Sequence, residues 1–332
     1  MKRLLINWGI GFLSSLLVVI TLSSCKSKKI SNHNTHTLSL DSIELALHLK
    51  TLTSNKYKGR LSGTKEALLA AQYIKEFLIQ HDIEPYFNSY FDTLSNFNSA
   101  YPGVNVVGWI KGTEPSKSDE AILISAHYDH IGTSKKPTTS SNDTIYNGAN
   151  DNATGVASLM QLVKYFSKLK KNKRPILIAF FAAEEKGLLG SFHLSKRLKQ
   201  ENRTKLYTQL NIEMIGSPMN RSFKTYVTGF SKSNFAQELN TFVEPNFAGA
   251  LAAELKYQLF YRSDNFPFFK EFNIPAHTIS TFDFENYSYY HHLEDEFEKI
   301  DIKHLYSITS DLSKAILGLT NSEKTIKLYT NR

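Results

Sequence analysis

The stretch "RPILIAFFAAEEKGLLGS", Arg174–Ser191, places an apolar run directly before two adjacent carboxylates, Glu184 and Glu185. The run is short and has no polar alternation, which is typical of a strand covered on both faces of a sheet. Neighbouring side chains on an extended chain point to opposite faces, and burying either carboxylate without a partner is costly. The stretch therefore predicts a core strand that ends in a functional site.

Strand and helix patterns alternate along the rest of the chain. Three more runs are typical of buried strands: Ala121–His127, Tyr207–Gly216 and Asn273–Thr281. Helical spacing of apolar residues occurs in three stretches: Gly63–Pro85, Asp151–Leu169 and Ile302–Leu319. This alternation predicts an α/β layered domain with a largely parallel sheet.

The ends of the predicted strands carry the candidate ligands. In parallel sheets, sites form at the edge where the carboxyl ends of the strands meet. His127, Glu184 and Glu213 each stand at or just beyond such an end. We therefore expect these three side chains to share one site.

The N-terminal segment "MKRLLINWGIGFLSSLLVVITLSSC" has the layout of a secretory signal peptide. A membrane-spanning helix is the alternative, but Gly, Ser and Asn interrupt the apolar run, which is short of the roughly 20 residues that a span needs. Its end, "LSSC", resembles the bacterial lipobox, after which Cys25, the chain's single cysteine, would be acylated. We expect a lipoprotein signal peptide over residues 1–24, a flexible polar tether over 25–38 and a folded domain over 39–332.

Acylation of Cys25 predicts an anchor in a membrane of the bacterial cell envelope, outside the cytoplasm. The formal net charge of the 332-residue chain is +8, and loss of Lys2 and Arg3 with the signal peptide lowers it to +6. Much of this excess lies in the tether and in the run "KLKKNKR" at 168–174. Neither region combines its charge with an aromatic stacking surface, which argues against nucleic-acid binding.

Two motifs offer the first metal ligands. In "AHYDH", His127 and Asp129 are two residues apart and face the same side of an extended chain, so the carboxylate could orient the imidazole. A loop histidine beside a turn aspartate is the alternative. In "NGANDNATG", Asp151 precedes a helix and is either its N-cap or a carboxylate that bridges two ions.

The remaining candidates follow later in the chain. Glu185 could bind a metal while Glu184 takes a proton from water, or both could be solvated residues at a helix start. Glu213 lies between apolar neighbours and is either a ligand or an edge-strand charge. His291 and His292 lie beside aromatic residues and are either ligands or core residues.

Together these motifs supply two histidines and three carboxylates in the order His, Asp, Glu, Glu, His. Imidazole and carboxylate ligands without cysteine suit zinc, with manganese or cobalt as alternatives. Five ligands with one shared carboxylate fit two ions about 3.5–4 Å apart. The pattern indicates a two-metal hydrolytic site.

The sequence resembles the co-catalytic di-zinc exopeptidase family that includes bacterial leucyl aminopeptidases, aminopeptidase Y, glutamate carboxypeptidase and glutaminyl cyclases. The resemblance covers nearly the whole chain after residue 38. It rests on seven motifs in a fixed order: "YKGRLSGTKEALLAAQYIKEFL", "NVVGWIKGT", "ILISAHYDHIG", "NGANDNATGVASL", "AFFAAEEKGLLGS", "NIEMIG" and "HHLEDEFEKID". It implies a three-layer fold, with a mixed, mostly parallel sheet between helices, and identifies 39–332 as a zinc exopeptidase domain.

The resemblance also implies the ligand sets of two zinc ions. His127, Asp151 and Glu213 would hold one ion. Asp151, Glu185 and His291 would hold the other, so Asp151 would bridge the pair.

Further roles and two departures follow from the same resemblance. Glu184 matches the general base, and Asp129 matches the residue that orients His127. The family more often has aspartate at the position of Glu213, and Asn265 replaces a histidine of the family's Ser-Asp-His segment. The spacing to the following "KID" selects His291 as the ligand, with His292 as the alternative.

The leading hypothesis is a metal-dependent exopeptidase that acts on peptides, with an aminopeptidase favoured over a carboxypeptidase. The Tyr- and Phe-rich segment Phe282–Tyr290 is expected to line the pocket for the substrate side chain. A glutaminyl-peptide cyclotransferase on the same scaffold and a non-catalytic binding domain are the alternatives.

Overall fold

The computed structural model describes residues 39–136 and 142–330. The predicted signal peptide and the whole of the predicted tether, including Cys25, lie outside the described residues. Within the two described ranges, none of the helices has both the length and the apolar character needed to cross a membrane.

The chain forms eleven strands over these ranges, most of them in one sheet. Their bounds are β1 Glu84–Pro85, β2 Phe91–Thr93, β3 Val104–Ile110, β4 Glu120–His127, β5 Gly132–Thr133, β6 Ile145–Tyr146, β7 Ile176–Phe181, β8 Lys205–Ile212, β9 Thr225–Val227, β10 Ala248–Gly249 and β11 Ala276–Ser280.

Eight α-helices of the described residues pack around the strands. Their bounds are α1 Ser42–Leu52, α2 Lys65–Gln80, α3 Thr154–Leu169, α4 Leu189–Glu201, α5 Phe235–Phe242, α6 Ala252–Tyr257, α7 Asn265–Phe272 and α8 Ile302–Asn321.

The main sheet is mixed, with a parallel centre. Its strand order is β1-β3-β7-β4-β8-β11-β9-β10, and β2 pairs with β3. The four central strands β7, β4, β8 and β11 run parallel to one another. β3 runs antiparallel to β7, and β9 runs antiparallel to β11. Strands β5 and β6 form a separate two-stranded sheet.

Helices cover both faces of this sheet. Helices α1, α2, α3, α5 and α8 lie on one face, and α4 and α7 lie on the other. Alternate residues of β7 divide between the two cores: Ile178 and Phe180 face the first, and Leu177 and Phe181 face the second. Because both faces are buried, the strand is apolar throughout, and each such side chain contributes about 1.5–3 kcal/mol of burial free energy.

The four predicted strands and three predicted helices are all present, which confirms the three-layer α/β fold. Helix α2 begins after Thr64, whose side chain accepts the Ala67 N–H, and α8 begins after Asp301, which caps it in the same way. Helix α2 ends at Gln80 rather than near Pro85, because Asp82 adopts a left-handed backbone with φ of 55°. The chain then turns directly into β1.

Candidate metal centre

Three central strands end at the same edge of the sheet. His127 is the last residue of β4 and lies opposite Phe181, the last residue of β7. Two residues earlier, Ser125 lies opposite Asn211 of β8, and Glu213 follows that strand. The predicted convergence of the strand ends is therefore confirmed in the structure.

A tight turn after β7 sends the side chains of the adjacent Glu184 and Glu185 to two different clusters. The carbonyl of Glu184 accepts the N–H groups of Gly187 and Leu188, both at 2.9 Å. Asp129 Oδ1 accepts the Glu184 N–H at 3.1 Å, which ties this turn to the segment after β4. Glu184 and Glu185 contact two different groups of ligands as a result, so neither acts as a solvated helix cap.

The first cluster contains His130, Asp151, Glu185 and His291, whose potential ligand atoms all lie within 4.8 Å of one another. His291 Nε2 lies 3.1 Å from Asp151 Oδ2 and 3.3 Å from Glu185 Oε2. His130 Nδ1 lies 2.9 Å from Glu185 Oε1. Three of these four residues were predicted, and His130 was missed.

The second cluster contains His127, Glu184 and Glu213, again with ligand atoms within 4.8 Å of one another. His127 Nε2 lies 3.4 Å from Asp151 Oδ1. Asp151 thus presents one oxygen to His127 and the other to His291. This is the arrangement expected of a carboxylate shared by two ions.

Asp151 does not cap helix α3. The side chain of Asn152 accepts the N–H groups of Gly155 at 3.2 Å and Met214 at 3.0 Å, so it joins the helix start to the end of β8. Asp295 accepts the Asp151 N–H at 3.1 Å and fixes that backbone. The carboxylate of Asp151 is left free to face the two histidines, and its N-cap alternative is wrong.

A buried arginine holds the loops that carry the ligands. Arg60 is 1% exposed and donates to four backbone carbonyls, those of Leu52, Tyr128, Asn147 and Gly148, at 2.7–2.9 Å. Burial lowers the pKa of Arg60 to about 10, so it stays cationic at neutral pH. No local pattern in the motif "YKGRLSGT" indicates this role of Arg60.

The predicted contact between His127 and Asp129 takes a different form. The Asp129 carboxylate is 3.7 Å from His127 Nδ1, whereas the backbone carbonyl of Asp129 lies 3.2 Å from the same nitrogen. The carboxylate instead fixes the turn that carries Glu184. Asp129 therefore orients the imidazole through its main chain.

Buried negative charge dominates the electrostatics of the centre. Burial raises the pKa of Glu184 well above its usual range, and the charges of Glu213 and Glu185 add to this effect. Burial also opposes ionisation of Asp151, but the nearby imidazoles of His127 and His291 outweigh it and lower the pKa of this carboxyl. Closely spaced carboxylates in a buried site need cationic partners.

The side chains present fit divalent zinc. His127 Nε2 is fully buried and has no hydrogen-bond partner among the described residues, although it faces the Asp151 carboxylate. An imidazole nitrogen in this state is available as a ligand, since zinc binds neutral histidine nitrogen and carboxylate oxygen. The candidate ligand groups are imidazoles and carboxylates, which are the zinc ligands used in proteins where cysteine is not.

The structure also settles two details of the predicted site. His291 joins the first cluster, whereas the exposed His292 lies beside Glu294 at 3.7 Å. Asn265 is buried at the start of α7, where its amide donates to the Phe260 carbonyl at 3.1 Å. Asparagine at this position therefore serves the packing of α7.

A cavity of about 510 Å³ opens over both clusters. Asp151, Glu184, Glu185, Glu213 and His291 line its floor. Its apolar wall consists mainly of aromatic residues: Phe192, Tyr226, Leu259, Tyr261, Phe266, Phe282, Phe284 and Tyr290. The expectation that the segment Phe282–Tyr290 contributes to the pocket is confirmed.

The chain is similar to aminopeptidases and to a glutaminyl cyclase. Aminopeptidase YwaD of Bacillus subtilis is 28% identical over 135 residues, which cover 40% of this chain and 27% of that protein. The structure of BSAP, a zinc aminopeptidase from Bacillus subtilis, matches with a TM-score of 0.63 at 16% identity, over 86% of this chain and 97% of that one. Porphyromonas gingivalis glutaminyl cyclase matches with a TM-score of 0.63 at 18% identity, over 83% and 98%.

The two structural matches have low sequence identity and establish the fold. The match to YwaD spans about a quarter of that relative's length. The sequence profile of peptidase family M28 matches residues 105–316, which is more than half of the chain. All seven residues of the two clusters lie within this range. The chain therefore belongs to peptidase family M28.

Proposed function

We propose that this protein is a metal-dependent aminopeptidase that removes N-terminal residues from peptides. One observation carries the proposal: the Asp151 carboxylate is shared by two clusters of histidine and carboxylate ligands on the floor of an apolar cavity. Membership of family M28 supports a peptidase, and the likeness to YwaD supports an aminopeptidase.

Two zinc ions would be held by the residues around Asp151. His127 and Glu213 would complete one site, and Glu185 and His291 would complete the other. When bound, zinc supplies Lewis acidity, which polarises a carbonyl and makes water nucleophilic near neutral pH.

Glu184 is placed to transfer the protons of the reaction. Its carboxylate lies beside His127 and Glu213 and faces the cavity. It would accept a proton from the attacking water and deliver it to the leaving amine, as a general base and then a general acid. The raised pKa of Glu184 favours the second step, because the protonated form becomes accessible in the folded protein.

The cavity suits a peptide N-terminus. Four carboxylates on its floor, those of Asp151, Glu184, Glu185 and Glu213, provide oxygen atoms that can accept hydrogen bonds from a free α-ammonium group, while bound zinc would offset most of their charge. The aromatic wall offers an apolar surface to the first side chain of the substrate. We therefore expect large apolar residues at the substrate N-terminus to be preferred.

The purified protein is expected to hydrolyse aminoacyl-nitroanilides with leucine or phenylalanine, and a chelator should abolish this activity until zinc is restored. The same nitroanilides with an acetylated α-amine should not be cleaved, because they lack the cationic amine. Release of nitroaniline and mass spectrometry of the products check both statements. Equal cleavage of the free and the acetylated nitroanilides, or no cleavage after zinc is restored, contradicts the proposal.

A glutaminyl-peptide cyclotransferase is the second candidate, since Porphyromonas gingivalis glutaminyl cyclase shares the fold. The complete second set of ligands around Glu185 and His291 favours the peptidase. A peptide that begins with glutamine separates the two reactions: the cyclase releases ammonia and keeps every residue, whereas the peptidase releases free glutamine. The grouping of the predicted ligands and Glu184 into two clusters supports an enzyme over a non-catalytic binding domain.

We also propose that acylated Cys25 anchors the protein to a membrane of the bacterial cell envelope, outside the cytoplasm. The order of a basic start, an apolar run and "LSSC" supports this proposal. In a bacterial host, radiolabelled palmitate should label the wild-type chain, and the Cys25→Ser variant should lose the label. Equal labelling of the two proteins contradicts the anchor.

A further inference from the structure

His130 is a buried histidine beside the metal centre to which neither the proposed mechanism nor the predicted ligand sets assign a role. It is 0% exposed, and its Nδ1 lies 2.9 Å from Glu185 Oε1 and 3.9 Å from Asp151 Oδ2. Its ring packs edge-on against the ring of His291, with centroids 5.7 Å apart. The imidazole therefore belongs to the same group of side chains as Asp151, Glu185 and His291.

The surrounding chain fixes the ring of His130 in place. Gly148 packs against it so closely that a Cβ added there would fall 2.5 Å from two ring carbons of His130. Gly148 has a φ of 58°, and its carbonyl is held by buried Arg60. The backbone is thus arranged so that this imidazole faces the carboxylates.

Packing does not account for a histidine at this position. Its Nε2 is buried without a hydrogen-bond partner among the described residues, so no hydrogen bond of that nitrogen explains an imidazole here. The polar contacts of the ring are made by Nδ1, the nitrogen that faces Glu185 and Asp151.

The donor atoms lie close enough together to surround one ion. Zinc–nitrogen and zinc–oxygen bonds of about 2.0–2.2 Å place tetrahedral ligands about 3.3–3.6 Å apart. His130 Nδ1 and His291 Nε2 lie 3.9 and 3.1 Å from the same oxygen, Asp151 Oδ2, and they face different oxygens of Glu185, at 2.9 Å to Oε1 and 3.3 Å to Oε2. One ligand atom from each of the four residues lies within 4.8 Å of the other three. The site of His127 and Glu213, by contrast, has three predicted protein ligands, with Asp151 as the third. Glu184 does not count as a ligand there, because it is needed as the base.

We propose that His130 is a fourth protein ligand, so that the two ion sites differ. The site of His130, Asp151, Glu185 and His291 is closed, binds zinc more tightly and fills first. The site of His127, Asp151 and Glu213 keeps an open position, as catalytic zinc sites do. The inference rests on the metal centre of the proposed function and does not depend on which substrate is cleaved.

X-ray absorption at the zinc edge tests this directly on the wild-type protein. Metal-free protein is loaded with one equivalent of Zn²⁺, and the number of imidazole ligands is determined from the multiple-scattering signal. Two imidazoles, those of His130 and His291, are expected. A single imidazole per zinc overturns the proposal, because it corresponds either to His291 alone or to the His127 site.

The His130→Gln variant separates a ligand from a hydrogen-bond donor. Glutamine can still donate to Glu185, but its amide is a poor zinc ligand. We expect the affinity for the first Zn²⁺, measured by competition with a chromophoric chelator, to fall more than about 100-fold, beyond the 10–100-fold range of residues that only orient a ligand. A fall of 100-fold or less overturns the proposal.

His292→Gln is the matched control, since this exposed neighbour of His291 lies outside both clusters and should leave zinc affinity unchanged. Should His130→Gln fail to fold, the absorption measurement on the wild-type protein decides alone. Both experiments use zinc without substrate. A protein that binds zinc as described but cleaves no peptide would disprove the proposed function and leave this inference standing.

Discussion

The Glu184→Gln variant is expected to lose about 10²–10⁴-fold in kcat while keeping its zinc, because a positioned general base contributes a factor of this size. Glutamine preserves the shape of the side chain and removes the oxygen that accepts the proton. Glu184 lies in one cluster with His127 and Glu213. Because these two neighbours are predicted zinc ligands, Glu184 is the described residue of this cluster that is left to act as the base. Steady-state kinetics with an aminoacyl-nitroanilide and metal analysis of the same sample measure both quantities.

Glu294→Gln is the matched control for this variant. Glu294 is a half-exposed neighbour of the ligand His291 and contacts only His292 among the charged groups described. Its replacement should leave kcat within a factor of about two. Wild-type kcat in Glu184→Gln contradicts the assigned base, and loss of one zinc with loss of activity would show that Glu184 is a ligand instead.

The Asp151→Asn variant should lose both zinc affinity and activity, with kcat/KM falling more than about 10⁴-fold to the level of the chelated protein. The Asp151 carboxylate belongs to the first cluster and also faces the second, since its two oxygens lie 3.4 Å from His127 and 3.1 Å from His291. A neutral amide removes that shared anion from both sites. Zinc content after dialysis and kcat/KM check the expectation.

Asp143→Asn provides the control for this change. Asp143 lies in the loop before β6, where its side chain accepts the Ile145 N–H at 3.0 Å, and asparagine can keep that bond. Full zinc content and activity are expected. Two tightly held zinc ions in Asp151→Asn would contradict the shared-carboxylate arrangement.

The fold was predictable from sequence because its central strands are buried on both faces. Such strands are continuous apolar runs, and runs such as Ile176–Phe181 contrast clearly with the amphipathic helices between them. The parallel order then places every strand end at one edge of the sheet. This rule alone brought His127, Glu184 and Glu213 together.

Other parts of the site depend on tertiary contacts that no local pattern records. Arg60 lies far along the chain from Tyr128 and Gly148, and only the folded structure shows that it binds both carbonyls. Asp295 stands among several acidic residues, of which it is the one that fixes the Asp151 backbone. Single-residue motifs could not distinguish these roles from ordinary surface charge.

Histidine 130 was missed for a different reason. It belongs to the motif "AHYDH", in which the spacing of an extended chain puts His127 and Asp129, two residues apart, on the same side and His130 on the other. Strand β4 ends at His127, so the residues that follow no longer alternate between faces. The chain turns there and brings His130 beside Glu185.

The central claim is that side chains around Asp151 hold a pair of zinc ions, and anomalous scattering from crystals of the zinc-loaded protein tests it most directly. Data collected on both sides of the zinc absorption edge should show two peaks, one on each side of the Asp151 carboxylate, near His127 and near His291 respectively. Peaks confined to other parts of the molecule, or no peak beside Asp151 in a well-folded sample, would contradict the account.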